Sequence, residues 1–270
     1  MDILLIIKTL IMGVIEGATE FLPISSTGHL IIAGDLLDFL TKEKRDVFEI
    51  IIQLGAVLAV CVAFRQRLAN TALNIASSKA SQGFVLNLFI AFLPLAILGL
   101  LFGHQIKTYL FSPITVAITL ILGGFAILWI EKNVTKPKTF DVETMTKKQA
   151  LQVGFAQALA LIPGMSRAGA TILGGMMFGL NRQTATEFSF FLALPVMFAA
   201  TGYDLIESRH LLDTADFTIF AIGFVAAFIS ALLVIKVFLR FVANHDFKAF
   251  AYYRIVFGSI VLLYFTYKPH

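Results

Sequence analysis

Two acids, Glu16 and Glu20, stand four residues apart in a stretch otherwise written in Ile, Leu, Met, Gly, Ala and Thr. On a helix that spacing puts both carboxylates on one face, where they repel each other. In apolar surroundings each needs a proton, a partner or a cation, which makes the pair a functional candidate and a candidate seat for a divalent cation, Mg²⁺ or Ca²⁺. The plainer alternative is a helix end emerging into water, or a pairing with Arg167 that only holds the fold. Just downstream, Pro23 is followed by Ser25, Ser26, Thr27, Gly28, His29 and an apolar run. Hydroxyls then occupy a helix start, where unpaired backbone N–H groups attract phosphate. His29 is near enough in sequence to Ser26 to take its proton, as a base-activated nucleophile requires. An ordinary cap with a satisfied histidine is the competing reading.

A second polar stretch, Gly164, Ser166, Arg167 and Gly169, interrupts another apolar region. An arginine placed there needs an anion. Its planar fork can hold two phosphate oxygens at once, and the glycines let backbone N–H groups approach the same ligand. A structural ion pair with Glu16 or Glu20 is the alternative. Gln53, in the middle of an apolar run, is either a hydrogen-bond donor toward the same ligand or a plain interhelix contact. The candidate catalytic set is therefore Ser26, His29, Glu16, Glu20 and Arg167. Phosphate binding falls to Ser25, Thr27, Gly164, Ser166, Arg167 and Gln53.

The elements that must carry these residues are apolar helices. Of the 270 residues, 58% are hydrophobic and only 14% charged, with a mean hydropathy of +0.86, which excludes a soluble domain and makes the lipid bilayer the main solvent. The net charge of +4 gathers in particular loops, so it reports topology and not nucleic-acid binding. Cys61, the lone cysteine, excludes an intrachain disulfide. The N-terminus, with Asp2, Lys8 and no basic leader, reads as mature protein.

Six stretches are long enough to cross: Val47–Phe64, Phe84–Phe102, Ser112–Ile130, Glu187–Ile206, Phe217–Ile235 and Ala249–Tyr267. Four are too short, Ile3–Ile15, Leu30–Leu40, Ala150–Ile162 and Thr171–Leu180, and they flank the two polar stretches in pairs, each predicting a re-entrant helix-loop-helix. Pro23 and Ser26 recur as Pro163 and Ser166, each 140 positions later. This predicts a duplication, with residues 1–130 as the first repeat and 149–270 as the second. Three spans per half would turn the second repeat upside down. The expected fold is an all-α polytopic membrane protein with six transmembrane helices, two re-entrant segments and inverted-topology repeats in one membrane domain. Loop charges agree. The connections holding Arg65, Arg67 and Lys79, and Glu131 to Lys148 with its five lysines, read as cytoplasmic, as does the segment around Arg240, Lys248 and Arg254; Glu207 to Asp216 reads as external. His104, His210, His245 and His270 are expected in loops or at the terminus, without assigned roles.

The run Glu-Gly-Ala-Thr-Glu-Phe-Leu-Pro-Ile-Ser-Ser-Thr-Gly-His at 16–29, with Pro-Gly-Met-Ser-Arg at 163–167, resembles the bacterial undecaprenyl pyrophosphate phosphatase family of the bacitracin-resistance type over essentially the full length. The resemblance implies hydrolysis of a C55 polyprenyl diphosphate lipid to the monophosphate for peptidoglycan synthesis, in a cytoplasmic (inner) membrane with the site facing the external, periplasmic side. It places the family's acids on Glu16 and Glu20, its serine and histidine on Ser26 and His29, and its arginine on Arg167. Ala168 stands where the family commonly has a second serine. A transporter or flippase for a phosphorylated lipid is the competing class, and a homodimer is an open possibility for quaternary state.

Overall fold

The computed structural model describes residues 2–134, 136–208 and 216–267. They form eleven α-helices: α1 Ile3–Thr19, α2 Ser26–Leu36, α3 Lys42–Ala63, α4 Arg65–Asn74, α5 Lys79–Leu110, α6 Pro113–Asn133, α7 Lys147–Ala158, α8 Arg167–Met177, α9 Arg182–Glu207, α10 Phe217–Asn244 and α11 Lys248–Tyr267. No strand forms among the described residues. Helices α3, α5, α6, α9, α10 and α11 are long and apolar enough to cross a membrane, and each contains one of the six expected spans almost whole. They run past the apolar stretches into charged sequence, as α3 does from Lys42 and α9 from Arg182, because a helix need not stop where the hydrocarbon does.

The four short stretches become α1, α2, α7 and α8, arranged in two pairs that each enclose a polar turn. α1 lies along α10 and against α3, while α5 lies along α7 and α8 packs on α9. α1 approaches α10 closely through small residues: a Cβ on Gly13 would stand 2.5 Å from the Gly223 carbonyl oxygen, and one on Gly17 would strike the Ala227 carbonyl. Such contacts replace a hydrophobic driving force that lipid does not supply between helices.

Polar ties close the two ends of the bundle. At one end Arg67 bridges Asp141 and Glu143 at 3.1 Å each, and Glu131 takes the Arg182 guanidinium and the Phe247 N–H, so the basic connections lie together. At the other, Lys44 pairs with Asp216 at 2.7 Å and Tyr264 donates to Asp35 at 2.9 Å.

Several expectations are corrected. His104 lies inside α5, not in a loop, and Arg240 lies inside α10, since these helices outrun their apolar cores; Arg254, counted among the cytoplasmic charges, is a buried residue of α11 within the expected span. The Arg65–Asn74 connection is itself a helix. Most of the segment expected to be external, residues 209–215 with His210, and His270 at the terminus, lie outside the described residues.

Candidate functional site

Both polar turns end in the same backbone device. Ser25 at the start of α2 has φ 68° and ψ 102°, and Ser166 at the start of α8 has φ 68° and ψ 113°. A left-handed residue is uncommon outside glycine and turns the chain abruptly into the helix. The two positions are 141 apart, so backbone geometry matches Ser166 with Ser25, where the sequence repeat matched it with Ser26. In the second turn Gly164, φ 84°, also leaves room: a Cβ there would stand 2.7 Å from the Val116 carbonyl oxygen and collide with the Thr119 hydroxyl. Thr119 uses that hydroxyl to donate to the Pro163 carbonyl at 2.5 Å.

The turns meet. One cavity of about 220 Å³ is lined by Ser25, Ser26 and Thr27 at the N-terminus of α2, by Gly164, Ser166 and Arg167 at the N-terminus of α8, and by Glu20 and Gln53. Two positive helix ends and a guanidinium therefore face one small space, an arrangement suited to a polyanion. Glu20 organises it. Its Oε2 accepts from the Ser26 hydroxyl at 2.5 Å, and its Oε1 accepts from Arg167 Nη2 at 2.9 Å. Arg167 also donates to the Ser189 carbonyl at 3.1 Å and has its guanidinium carbon 5.7 Å from the centre of the Phe21 ring. Ser166 Oγ accepts from the Gly169 N–H at 3.0 Å and donates to the Leu22 carbonyl at 3.3 Å, joining one turn to the other. Ser25 has no such cap bond, and its hydroxyl belongs to a residue that lines the cavity.

Two of the sequence candidates lie outside the cavity wall. Glu16 is buried one helical turn from Glu20 and does not line the cavity. His29 does not meet Ser26. Its Nδ1–H donates to the Ser25 carbonyl at 2.7 Å, which leaves Nε2 in the neutral ring to accept from the Tyr253 hydroxyl at 2.6 Å. The ring stacks on Phe257 with centroids 4.2 Å apart. The group that accepts from the Ser26 hydroxyl is thus Glu20. Ala168 is fully buried and does not line the cavity.

The sequence reading missed Arg254. It is 1% exposed, and its guanidinium donates to five carbonyls: Pro23 at 3.1 Å in the first turn, Gly164 at 3.0 Å and Met165 at 3.1 Å in the second, and Thr119 and Leu120 at 3.1 and 3.2 Å on α6. One side chain ties both turns to α6. Gly123 makes the space for it, since a Cβ there would collide with the guanidinium. A signal existed: Ala251, Gly258 and Val261, at three before and four and seven after, mark Arg254 as lying on the buried face of α11.

A family model described as bacitracin resistance protein BacA matches residues 9–260. The chain belongs to the bacitracin-resistance protein family. Relatives in this family named undecaprenyl-diphosphatase include one from Methylobacillus flagellatus, 60% identical over 98% of this chain and 100% of its own length, and one from Nitrosomonas europaea, 59% identical over 97% and 96%. A Neisseria meningitidis relative of the same name is 54% identical over 97% and 96%. Within the bacitracin-resistance family frame, Glu20, Ser26 and Arg167 are the residues that hydrogen bonds bring into one group in this chain.

Proposed function

We propose that this protein is an integral membrane phosphatase that hydrolyses undecaprenyl diphosphate to undecaprenyl phosphate and inorganic phosphate, recycling the lipid carrier for cell-wall synthesis. The observation that carries the reading is the convergence of two helix N-termini, Arg167 and the Ser26–Glu20 pair on one cavity. The names of the relatives and the six membrane-length helices support it. The site belongs to a bacterial cytoplasmic membrane and opens to its external face, as the family resemblance implies. The shared left-handed turn at Ser25 and Ser166 supports the reading of the two halves as re-entrant, inverted repeats.

Without substrate, Glu20 and Arg167 neutralise each other. A diphosphate entering the cavity competes with Glu20 for Arg167, because the fork that binds a carboxylate binds phosphate oxygens equally well. Glu20 is then free to act as base at the moment the ester is positioned. Ser26 Oγ attacks the terminal phosphorus, its proton passes to Glu20, and the anhydride P–O bond breaks, releasing undecaprenyl phosphate. Water then hydrolyses the phosphoserine and restores Ser26. Arg167 and the N–H groups of α2 and α8 hold the phosphoryl oxygens, so positioning and charge neutralisation carry most of the rate. His29 holds the start of α2 through the Ser25 carbonyl.

No cluster of three or more His, Cys, Asp or Glu able to hold a metal exists among the described residues. The donor set nevertheless fits a magnesium-type ion, which is commonly held by one or two carboxylates plus substrate phosphates. Glu20 would hold it from the cavity wall, with Glu16, one helical turn away and outside that wall, as the second carboxylate. When bound, such an ion supplies neutralisation of charge on the phosphate oxygens.

The test is phosphate release from undecaprenyl diphosphate by purified protein in detergent. Ser26→Ala should abolish phosphate release while leaving the protein folded, since the nucleophile itself is gone. Near-normal turnover by a folded Ser26→Ala protein would remove Ser26 as nucleophile. Transport of the lipid across liposomes with no phosphate released would replace the phosphatase with a carrier.

A further inference from the structure

The 220 Å³ cavity is below the range of roughly 300–1,000 Å³ expected of a pocket for a whole drug-sized ligand, and its walls carry the phosphate-binding groups. It has room for a headgroup and none for a polyprenyl chain. The chain must leave across an apolar wall. Two residues of that wall, Leu161 and Ile162, also form one side of a second recess of about 430 Å³ whose other side is α5.

The face of α5 involved is continuous. Leu95 belongs to the cavity, and Leu98, Phe102, Ile106 and Tyr109 belong to the recess. The steps between them are three, four, four and three, which place all five on one side of a helix. The stripe runs about 21 Å, fourteen residues at 1.5 Å each. Phe102 and Tyr109 are exposed, so the recess is open along the lipid-facing side of the molecule.

We infer that the groove between the C-terminal half of α5 and the Leu161–Ile162 turn seats the isoprenoid units nearest the diphosphate and so selects long-tailed substrates. The inference rests on the reading of the cavity as a lipid-diphosphate site. Apolar exposure alone would not carry it, because any lipid-facing helix has that. The shared wall does: a tail attached to a phosphate in the cavity meets this recess first. Moving a tail from bilayer into a groove brings no hydrophobic gain, as both are hydrocarbon. The groove therefore acts by aligning the anhydride bond, and its effect falls on specificity.

Two variants fill it without touching a phosphate-binding residue, Leu98→Trp and Ala158→Trp. Steady-state phosphate release would be measured on undecaprenyl diphosphate and on dimethylallyl diphosphate, whose single isoprene unit does not reach along α5. The expected result is a fall of at least about tenfold in the ratio of kcat/KM for the long over the short substrate, a discrimination of the size that small pocket changes bring about. An unchanged ratio overturns the inference, including the case where both activities fall in parallel. A second measurement needs no variant. An undecaprenyl diphosphate analogue carrying a diazirine in its first isoprene units should photolabel wild-type protein within residues 98–110 or 158–162; labelling confined to other helices refutes the groove. Wild-type protein that releases phosphate from neither lipid would instead sink the phosphatase reading, while the photolabel would still report where the tail lies.

Discussion

Replacing Arg254 with methionine keeps an unbranched apolar stem and deletes the guanidinium with its five donors. Three of its partners, the carbonyls of Pro23, Gly164 and Met165, lie in the polar turns, outside the regular hydrogen bonding of any helix. A buried group left without a partner costs about 1–3 kcal/mol, so the three together put about 3–9 kcal/mol at risk. Water drawn into the cavity would bring the figure toward the lower end. The Thr119 and Leu120 carbonyls add little, because α6 already pairs them. The turns would separate from α6 and from each other, and a displacement of about 1 Å at a reacting group is worth about 100-fold in rate. Arg254 does not line the cavity, so it acts by position. The assay is phosphate release with kcat and KM determined separately, alongside thermal unfolding followed by size-exclusion chromatography in detergent. Arg254→Met should lower kcat at least about 100-fold in the fraction that stays folded and lower its melting temperature. Arg254→Lys, with three donors on a point charge, should fall between it and wild type. A methionine variant with wild-type melting temperature and wild-type kcat would show that the turns hold their shape without the clamp.

Glu20→Gln removes both the base and the anchor for Arg167; kcat should drop about 10²- to 10⁴-fold, and a near-wild-type kcat would exclude Glu20 as the base. Chelation of divalent cations should reduce turnover, and Glu16→Gln should shift the Mg²⁺ concentration for half-maximal rate upward; an identical Mg²⁺ titration curve would remove Glu16 from the ion's shell. Ser166→Ala deletes the cap on Gly169 and the link to Leu22, a loss of about 1 kcal/mol that should appear as a lower melting temperature. Gly13→Leu forces a side chain into the Gly223 backbone, where overpacking costs about 1–3 kcal/mol or more, and should reduce the yield of monodisperse protein; normal yield and stability would mean that α1 and α10 can separate at little cost.

How much of this was legible differs between the scaffold and the site, for a physical reason. Spans are written in composition: about 20 apolar residues have one stable way to satisfy their backbone in lipid, so the six long helices could be read directly. The two polar turns were legible for the converse reason, since acids, hydroxyls and an arginine between apolar helices have no cheap structural use. Of the pairings inside the site, that of Arg167 with one of the two acids was open as an alternative and forms with Glu20, whereas those of Ser26 and His29 were not legible, because they depend on where a turn points a side chain. The left-handed backbone at Ser25 rotates the start of α2 so that His29 turns toward Tyr253 and Phe257, while Ser26 reaches back six residues to Glu20. Arg254 failed to register because a cation near a helix end reads first as a topology signal. Its neighbours Ala251 and Gly258 argue otherwise: snorkelling to water would not require small residues on the same face. A guanidinium so placed must find acceptors within the protein, and the acceptors least satisfied by helices are the carbonyls of turns. The pattern of a basic residue on a small-residue helix face, in a chain with two polar intramembrane turns, thus carries the prediction that one clamps the other.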